Sequence, residues 1–194
     1  LDVLVGANDG TLYYFAGIPP GTGGHDVVYV GDGDNVVVGG YGDDTIVAGT
    51  GADVILGDNG AATYTAGTTQ LQQVVSTDVT NATGGNDSII GGAGDNVIVA
   101  GVGADTVLVV AGNDIVLGDN GRIDWTTSGV ISEVQTTELG LGGNDVILAG
   151  DGNNVVLGGF GTDTITTASG TDVILGDNGQ FQYTEVAGVA VLTG

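Results

Sequence analysis

The residues best suited to chemistry in this chain are carboxylates and amides that recur every nine residues. Three blocks, residues 21–60, 82–121 and 140–179, each contain four nine-residue units and end in the tetrapeptide Gly-Asp-Asn-Gly. Such regular spacing of acidic side chains suggests that a cation neutralises them, supplied either by metal ions or by a basic protein partner. Position 6 of each unit holds these side chains: Asp26, Asn35, Asp44, Asp53, Asp87, Asn96, Asp105, Asp114, Asp145, Asn154, Asp163 and Asp172.

Two further positions of the unit are equally regular, and they predict the elements that carry the acidic residues. Position 8 is always Val or Ile, which predicts a short strand with one inward side chain. Glycine at position 4 permits the tight turn that must precede this strand. Two units complete a rung of about 18 residues, and stacked rungs form an all-β fold, a parallel β-roll or β-solenoid with acidic turns along both edges. Position 4 is occupied by Gly24, Gly33, Gly42, Gly51, Gly85, Gly94, Gly103, Gly112, Gly143, Gly152, Gly161 and Gly170.

The segments between the blocks predict β-hairpins. Two residues after the last glycine of a block stands an apolar residue, and four residues after it stands an aromatic one, which is the period of a strand. Ser128-Gly129 and Ala187-Gly188 then predict turns into second strands at residues 130–136 and 189–193. We expect the aromatic residues to cover the apolar flank of the roll; a binding platform is the alternative. The aligned pairs are Leu12 and Tyr14, Ala62 and Tyr64, Ile123 and Trp125, and Phe181 and Tyr183.

Blocks and connectors together divide the chain into repeats. Residues 1–20 are interpreted as the end of a preceding repeat with its connector, and residues 21–81, 82–139 and 140–194 as three successive repeats, the last with a partial connector. Because four units make an even number of half-turns, every hairpin is expected to leave the roll from the same edge. Consecutive hairpins would then lie about 10 Å apart, which is two strand spacings.

Composition narrows the range of partners. The 194 residues include 24 acidic residues and one basic residue, which gives a net charge of −23. A polyanion of this kind is not expected to bind nucleic acid or an anionic membrane. Cysteine is absent, which excludes a disulfide framework and cysteine-ligated zinc. No apolar run approaches the roughly 20 residues needed to span a bilayer, so membrane insertion is not expected.

The nine-residue unit reads Gly-Gly-x-Gly-x-Asp-x-U-x, where U is a large aliphatic residue, with its clearest copies at residues 39–47 and 158–166. This unit resembles the calcium-binding nonapeptide of the RTX family of secreted bacterial proteins, and the resemblance covers all three blocks. It implies that several Ca²⁺ ions lie between turns one rung apart, held by turn carbonyls, including those around the position-4 glycines, and by position-6 carboxylates. Calcium also suits these turns independently, because it is a hard cation and the turns offer only oxygen ligands.

The two edges of the roll are expected to differ. Units one and three of a block fall on one edge, and units two and four fall on the other. Position 6 of every second unit is Asn, at Asn35, Asn96 and Asn154. Since Asn offers a carbonyl oxygen but no charge, we expect weaker calcium affinity on this edge. Position 2 departs from glycine at block ends, where sites are expected to be strained or incomplete: Thr22, Thr83, Val110, Leu141 and Ala168.

The Gly-Asp-Asn-Gly tetrapeptide has two compatible interpretations. As structure, Asn and Gly tolerate positive φ and form a turn into the hairpin. As function, its aspartates Asp58, Asp119 and Asp177 supply a further carboxylate to the neighbouring calcium site.

The leading functional interpretation is structural, a calcium-rigidified segment of an extracellular adhesin, filament or surface matrix, and not an enzyme. His25 is the only histidine, so a nucleophile–base pair or a histidine-based zinc site lacks partners. One alternative is a glycan- or partner-binding module that uses hairpin aromatics such as Trp125; another is a β-helix enzyme that modifies polysaccharides. We expect secretion to the bacterial cell surface, with a continuing repeat array or end-to-end assembly of copies as the partner.

Overall fold

Short strands and no helix make up the described part of the chain. The computed structural model describes residues 4–7, 14–16 and 23–194. In chain order the strands are β1 (Leu4–Ala7), β2 (Tyr14–Ala16), β3 (Val27–Tyr29), β4 (Asn35–Val38), β5 (Thr45–Val47), β6 (Val54–Leu56), β7 (Gly60–Tyr64), β8 (Leu71–Ser76), β9 (Ser88–Ala93), β10 (Val97–Val99), β11 (Thr106–Ala111), β12 (Ile115–Leu117), β13 (Gly121–Trp125), β14 (Ile131–Thr136), β15 (Val146–Asp151), β16 (Val155–Leu157), β17 (Thr164–Thr167), β18 (Val173–Leu175), β19 (Gln180–Val186) and β20 (Val189–Leu192).

Two parallel sheets form a β-roll, as the sequence predicts. The inner roll sheet contains β4, β6, β10, β12, β16 and β18 in this order, and the outer roll sheet contains β3, β5, β9, β11, β15 and β17. Within a block, neighbouring strands of one sheet pair in register one rung apart, as Val36 does with Val54. The stacking continues across the connectors, where Val54 pairs with Val97. The inserted hairpins therefore leave the register of the roll intact.

The position-8 side chains point between the two roll sheets and form the roll core. Val37, Ile46, Ile55 and their equivalents up to Val156 are fully buried there, and Ile165 is partly buried. The last position-8 side chain, Ile174 in β18, is 46% exposed at the end of the stack. Each three-residue strand contributes one side chain to this core, and the longer strands β11 and β15 each add a second, Val109 and Ala149.

The connectors form β-hairpins, and the hairpins join into a third sheet. The strands β7 and β8, β13 and β14, and β19 and β20 pair antiparallel within each connector. Successive hairpins also pair with each other through β8 with β13 and β14 with β19. All hairpins therefore leave the roll from the same side. The turns at Gly129 and at Ala187-Gly188 have positive φ, which confirms the predicted hairpin turns.

The hairpin sheet packs on the outer surface of the inner roll sheet and creates a second core. Val36, Val38 and their equivalents flank the inward residue of each inner strand and would be exposed in an isolated roll. They pack instead against Ala62, Tyr64 and Val74 of the hairpins, and Tyr64 is only 4% exposed. Trp125 and Tyr183 pack against the same cluster, and Phe181 accompanies them. The prediction that the aromatic residues cover the flank of the roll is confirmed for these described positions.

The position-4 glycines stack on one another along each edge. A Cβ on Gly103 would overlap the carbonyl oxygen of Gly85, one rung earlier, and a Cβ on Gly152 would overlap that of Gly112. The φ of Gly103 is 140°, in the region that favours glycine. Two constraints therefore coincide at position 4, the turn conformation and the close approach of the neighbouring turn.

The prediction that Asn-Gly uses positive φ at the entry to the hairpin is wrong. Neither Asn59 nor Gly60 has positive φ, and Gly60 is the first residue of β7. Glycine is needed there for space, because a Cβ on Gly60 would overlap the Leu56 side chain and approach the Val75 carbonyl oxygen to 2.6 Å. The chain enters the hairpin in extended conformation, and a glycine lets it cross the end of the preceding strand.

Part of the first predicted segment lies outside the described residues. This applies to most of residues 1–20, including Leu12, and to Thr22. The strand β1 pairs antiparallel with β4, whereas the other neighbour of β4 in the sheet, β6, runs parallel to it. The strand β2 pairs antiparallel with β7, as a hairpin strand does. The assignment of residues 1–20 to the end of a preceding repeat stays a prediction.

Replacing Gly103 with Ala is expected to lower the free energy of unfolding by about 2 kcal/mol or more, because the new Cβ meets the Gly85 carbonyl and the backbone has positive φ. The measurement is urea denaturation in saturating calcium. Gly31→Ala is the matched control, since no atom lies within 4 Å of a Cβ at that glycine. Equal urea midpoints for the two variants would contradict the stacking explanation.

Candidate metal sites

One edge of the roll carries a continuous ladder of position-6 aspartates. Oδ1 of Asp44 accepts the backbone N–H of Asp26 at 2.7 Å, and Oδ1 of Asp87 accepts that of Asp44 at 2.7 Å. The same contact repeats up to Asp163, at 2.7 to 3.0 Å. We call this line of six aspartates the acidic edge: Asp26, Asp44, Asp87, Asp105, Asp145 and Asp163. Because Asp87 and Asp145 begin new blocks, the ladder crosses both hairpin connectors without a break.

The opposite edge alternates Asn and Asp in the same ladder, and we call it the Asn edge. Oδ1 of Asp53 accepts the backbone N–H of Asn35 at 2.9 Å, and Oδ1 of Asn96 accepts that of Asp53 at 3.1 Å. The bonds continue through Asp114, Asn154 and Asp172. The structure therefore sorts the twelve position-6 residues into the two edges that the unit count predicts.

The second carboxylate oxygen of these aspartates is shielded from solvent and accepts no hydrogen bond from any described residue. This applies to Oδ2 of six aspartates on the two edges: Asp53, Asp87, Asp105, Asp114, Asp145 and Asp163. Burial of an unpaired carboxylate oxygen is costly, and the cost is usually offset by a paired charge or a metal. These unpaired oxygens are therefore candidate ligands for a cation.

The donor set fits calcium. Each site offers carboxylate oxygens from position 6 and carbonyl oxygens from the glycine-rich turn, which are the ligands of a hard cation with high coordination number. The residues with a described structure bring no three His, Cys, Asp or Glu side chains together as a metal cluster. Backbone carbonyls must therefore complete the coordination, as the turns on which the position-4 glycines stack would allow. Bound calcium would supply the positive charge between successive turns.

Burial and mutual repulsion make three aspartates of the acidic edge, Asp87, Asp105 and Asp145, hard to ionise. Burial, followed by the charge of Asp87, raises the pKa of Asp105 to about 9. Burial also raises the pKa of Asp145 to about 7. The pKa of Asp87 rises for the same first reason, and the charges of neighbouring aspartates add to it. A divalent cation that binds the ionised form would reverse this preference for protonation.

The Gly-Asp-Asn-Gly aspartates lie where the hairpin interrupts a turn of the acidic edge. Oδ1 of Asp58 accepts the backbone N–H of Gly85 at 3.0 Å, on the far side of the hairpin, and Oδ2 accepts that of Val102 in the next rung. The Asp119 carboxylate likewise accepts the N–H groups of Gly143 and Phe160. These side chains close the interrupted turn and connect it to the following rung. Direct calcium ligation by Asp58 and Asp119 stays a prediction.

Asp177 occupies the equivalent position in the last block, but it is exposed. No backbone N–H group of a described residue donates to its carboxylate, whereas two donate to Asp58 and two to Asp119. The three aspartates thus share a sequence motif while only two of them have the environment that gives it a structural role.

A second ladder at position 5 was missed by sequence reasoning, which treated this position as variable. Oδ1 of Asp34 accepts the N–H of Ala52 at 2.9 Å, and Oδ1 of Asn86 accepts that of Ala104 at 2.8 Å. At the start of the first block, the backbone N–H of Asp43 donates to Nδ1 of His25 at 3.0 Å. The signal available in the sequence was the prevalence of acceptor side chains at position 5. His25 is therefore one member of a structural ladder.

The first connector contains a buried aspartate that the repeat pattern did not single out. The Asp78 carboxylate accepts the backbone N–H and the side-chain amide of Asn59, both at 3.0 Å. Asn120, in the tetrapeptide that ends the second block, donates its amide to the Asp78 carbonyl at 3.3 Å. Asp78 thereby ties the base of its hairpin to the following one. Asp78 lies in an irregular segment outside the nine-residue units, so the periodicity of the sequence could not identify it.

In metal-free protein, stability is expected to fall as the pH rises. The pKa of Asp105 is about 9 and that of Asp145 about 7 in the folded state, whereas an unfolded Asp has a pKa of about 3.9. Between these pKa values the folded state binds more protons than the unfolded state. The stability that this contributes is fully present below about pH 4 and is lost as the pH rises towards about 9. Urea denaturation of resin-stripped protein at several pH values measures this slope.

Saturating calcium is the control for that experiment, because the ion binds deprotonated carboxylates and the slope should then reverse at acidic pH. A metal-free protein that becomes more stable from pH 4 to pH 8 would contradict the interpretation.

Replacing Asp119 with Ala is expected to destabilise the calcium-loaded protein by about 2–4 kcal/mol, since the N–H groups of Gly143 and Phe160 both lose their acceptor at about 1–3 kcal/mol each. Urea denaturation with saturating calcium measures the loss. Asp177→Ala is the matched control in the same motif, and it is expected to change stability by less than about 0.5 kcal/mol. Similar losses in both variants would argue against the closing role of Asp119.

Comparison with known proteins agrees with this geometry. The family model described as RTX calcium-binding nonapeptide repeat (4 copies) matches residues 20–55, 29–64, 77–107 and 139–174. These matches reach all three blocks and together cover more than half of the chain. No curated protein and no solved structure shows significant similarity to it. With its nine-residue turns, its parallel roll and its oxygen-lined edges, the chain belongs to the RTX calcium-binding nonapeptide repeat family.

Proposed function

We propose that the chain is a calcium-rigidified structural segment of an extracellular adhesin, filament or surface matrix. The observation that carries this proposal is the continuity of the acidic edge across both connectors, from Asp44 to Asp87 and from Asp105 to Asp145. Ions bound along this edge would link all three blocks into one body. A solenoid of this kind extends by adding rungs, which suits a spacer or a lattice-forming element.

A structural role also fits the arrangement of the acidic residues. They form two ladders that repeat at every rung, whereas acid–base catalysis relies on a small number of carboxylates with distinct environments. The RTX nonapeptide repeat is a structural, calcium-binding family. These observations favour ion binding over the modification of a polysaccharide.

Recognition of a glycan by the hairpin aromatics receives less support. Tyr64 is buried, and Trp125 and Tyr183 pack against the cluster between the hairpin sheet and the inner roll sheet. A carbohydrate platform needs an exposed aromatic face. The hairpin aromatics are better explained as the inner surface of a cover.

An extracellular location follows from the proposed ion dependence. RTX repeat proteins are typically secreted, and extracellular calcium modules work with dissociation constants of about 10⁻⁴ to 10⁻³ M, which suits the calcium concentration outside cells. Within the parts of the chain with a described structure, no helix is long and apolar enough to cross a membrane. We propose the bacterial cell surface as the site of action.

The end of the roll supports contact with a further rung. Ile174 belongs to the file of inward side chains but is 46% exposed. A following rung would bury it as Ile55 and Ile98 are buried in the middle of the stack. Either a continuing repeat array or the end of a second copy would provide that rung.

Chelation at neutral pH is expected to unfold most of the chain, because the acidic edge would then hold repelling carboxylates about 4.8 Å apart. Small-angle scattering should report a radius of gyration of about 16 Å in calcium and up to about 47 Å in chelator. Far-UV circular dichroism should lose most of the β spectrum in parallel. Magnesium is the control ion, and it should not restore the fold because it prefers a small octahedral shell with several waters. A compact β-structured chain in chelator would refute the proposed function.

A further inference from the structure

The amide of Asn35 makes the contacts expected of a bound cation. Its Nδ2 donates to the carbonyl oxygens of Gly33 at 2.7 Å and Gly31 at 3.1 Å, both in its own turn. The same nitrogen donates to Oδ1 of Asp53, in the next turn of the Asn edge, at 3.0 Å. Turn carbonyls and the carboxylate of the adjacent turn are the ligand types proposed for calcium in this fold. In this turn a side-chain nitrogen already lies among them.

Donation of the Asn amide to turn carbonyls recurs in the second unit of the other two blocks. Nδ2 of Asn96 donates to the Gly94 carbonyl at 2.8 Å and to Oδ1 of Asp114 at 3.0 Å. Nδ2 of Asn154 donates to the Gly150 carbonyl at 3.1 Å. Donation to carbonyl oxygens of the same turn is therefore common to all three second units, and Asn35 and Asn96 add the bond to the next carboxylate.

Asn and Asp use corresponding atoms in different ways. In both residue types Oδ1 accepts the backbone N–H of the preceding rung, as Asn96 does from Asp53 and Asp114 does from Asn96. The remaining atom of the side chain is Nδ2 in Asn96, which has partners, and Oδ2 in Asp114, which is buried without a hydrogen bond from any described residue. An oxygen in that place requires a cation, whereas an N–H₂ group supplies its own donors.

We propose that Asn35, Asn96 and Asn154 act as built-in substitutes for calcium, so that the second turn of every block is ordered without the ion. The inference rests on the proposed calcium-binding function, because it states which turns take an ion and which do not. The identity of position 6, Asp or Asn, selects between an ion-dependent turn and a self-sufficient one. The Asn edge thereby carries three position-6 charges where the acidic edge carries six.

The selection has a structural consequence at low calcium. Asp53 and Asp114 each lie between two turns that already have their internal donors, as Asp53 lies between Asn35 and Asn96. Like charges on this edge are therefore two rungs apart, about 9.6 Å, instead of one. The Asn edge retains order at calcium concentrations at which the acidic edge loses it.

The test compares the number of bound calcium ions in the wild type and in the triple variant Asn35→Asp, Asn96→Asp, Asn154→Asp. Equilibrium dialysis against millimolar calcium followed by metal analysis measures ions per chain. The variant is expected to bind up to three more ions than the wild type. An unchanged or lower number would overturn the inference.

The matched control adds the same three charges at position 5, in the variant Asn86→Asp, Asn144→Asp, Asn153→Asp. These exposed side chains accept backbone N–H groups through Oδ1, which Asp preserves. The control is expected to bind the wild-type number of ions. An equal gain in both triple variants would show that charge alone attracts the ions, and the inference would fall. A wild type that binds no calcium would refute the proposed function itself.

The converse variant keeps the inference testable if the triple variant does not fold. Asp114→Asn places a third consecutive Asn on the Asn edge, between Asn96 and Asn154. It is expected to bind one ion fewer while keeping at least the wild-type ellipticity in metal-free buffer, since the new amide replaces an orphaned oxygen. A loss of metal-free ellipticity would overturn the proposal, because it would show that Asn does not substitute for the ion.

Discussion

The structure depends on one constraint, the stacking of position-6 carboxylates one strand spacing apart. Parallel strands in register place the same side chain of every rung in line, about 4.8 Å from its neighbours. Each aspartate uses one oxygen to accept the N–H of the preceding rung, which makes the ladder part of the fold. The other oxygen is buried without such a partner in Asp105 and Asp145. The arrangement that stabilises the backbone therefore leaves buried carboxylate oxygens that a cation would neutralise, which is the physical basis for the proposed coupling of folding to calcium.

The hairpins solve a second problem that the roll creates. A nine-residue unit of this kind turns one side chain inward and two outward, so the inner roll sheet would expose rows of Val and Leu. The hairpin sheet covers these rows, with Tyr64 and Ile123 buried against them. Insertion of a hairpin interrupts a turn of the acidic edge, and Asp58 and Asp119 restore its connection to the next rung. Each block thus carries one inserted hairpin that covers its apolar rows, and the strands of the roll stay in register across the insertion.

The two edges show how a single atom changes the requirements of a turn. Asn and Asp have nearly the same shape, and both accept the same backbone N–H through Oδ1. They differ in whether the second atom donates to the turn or repels its carbonyl oxygens. On the proposal that Asn substitutes for the ion, a block that contains both residue types combines turns held by their own hydrogen bonds with turns that an ion would hold. Such a mixture would give a structural repeat some internal order before calcium is bound and considerably more after it.

The sequence by itself determined the repeat, the roll, the sorting of position-6 residues into two edges and the hairpin connectors. These features follow from local periodicity. The nine-residue period fixes which side chains face the core, and it places residues such as Gly42 and Asp44 in the turns. Tertiary structure decided the partners across blocks. Asp58 reaches Val102 and Asp78 reaches Asn120 only because stacking brings together residues 42 to 44 positions apart. The hairpin turn assigned to positive φ at Asn59 and Gly60 was wrong for the same reason, since packing against Leu56 and Val75 sets the need for glycine there. Contacts of this range leave no period in the sequence, so only the folded chain reveals them.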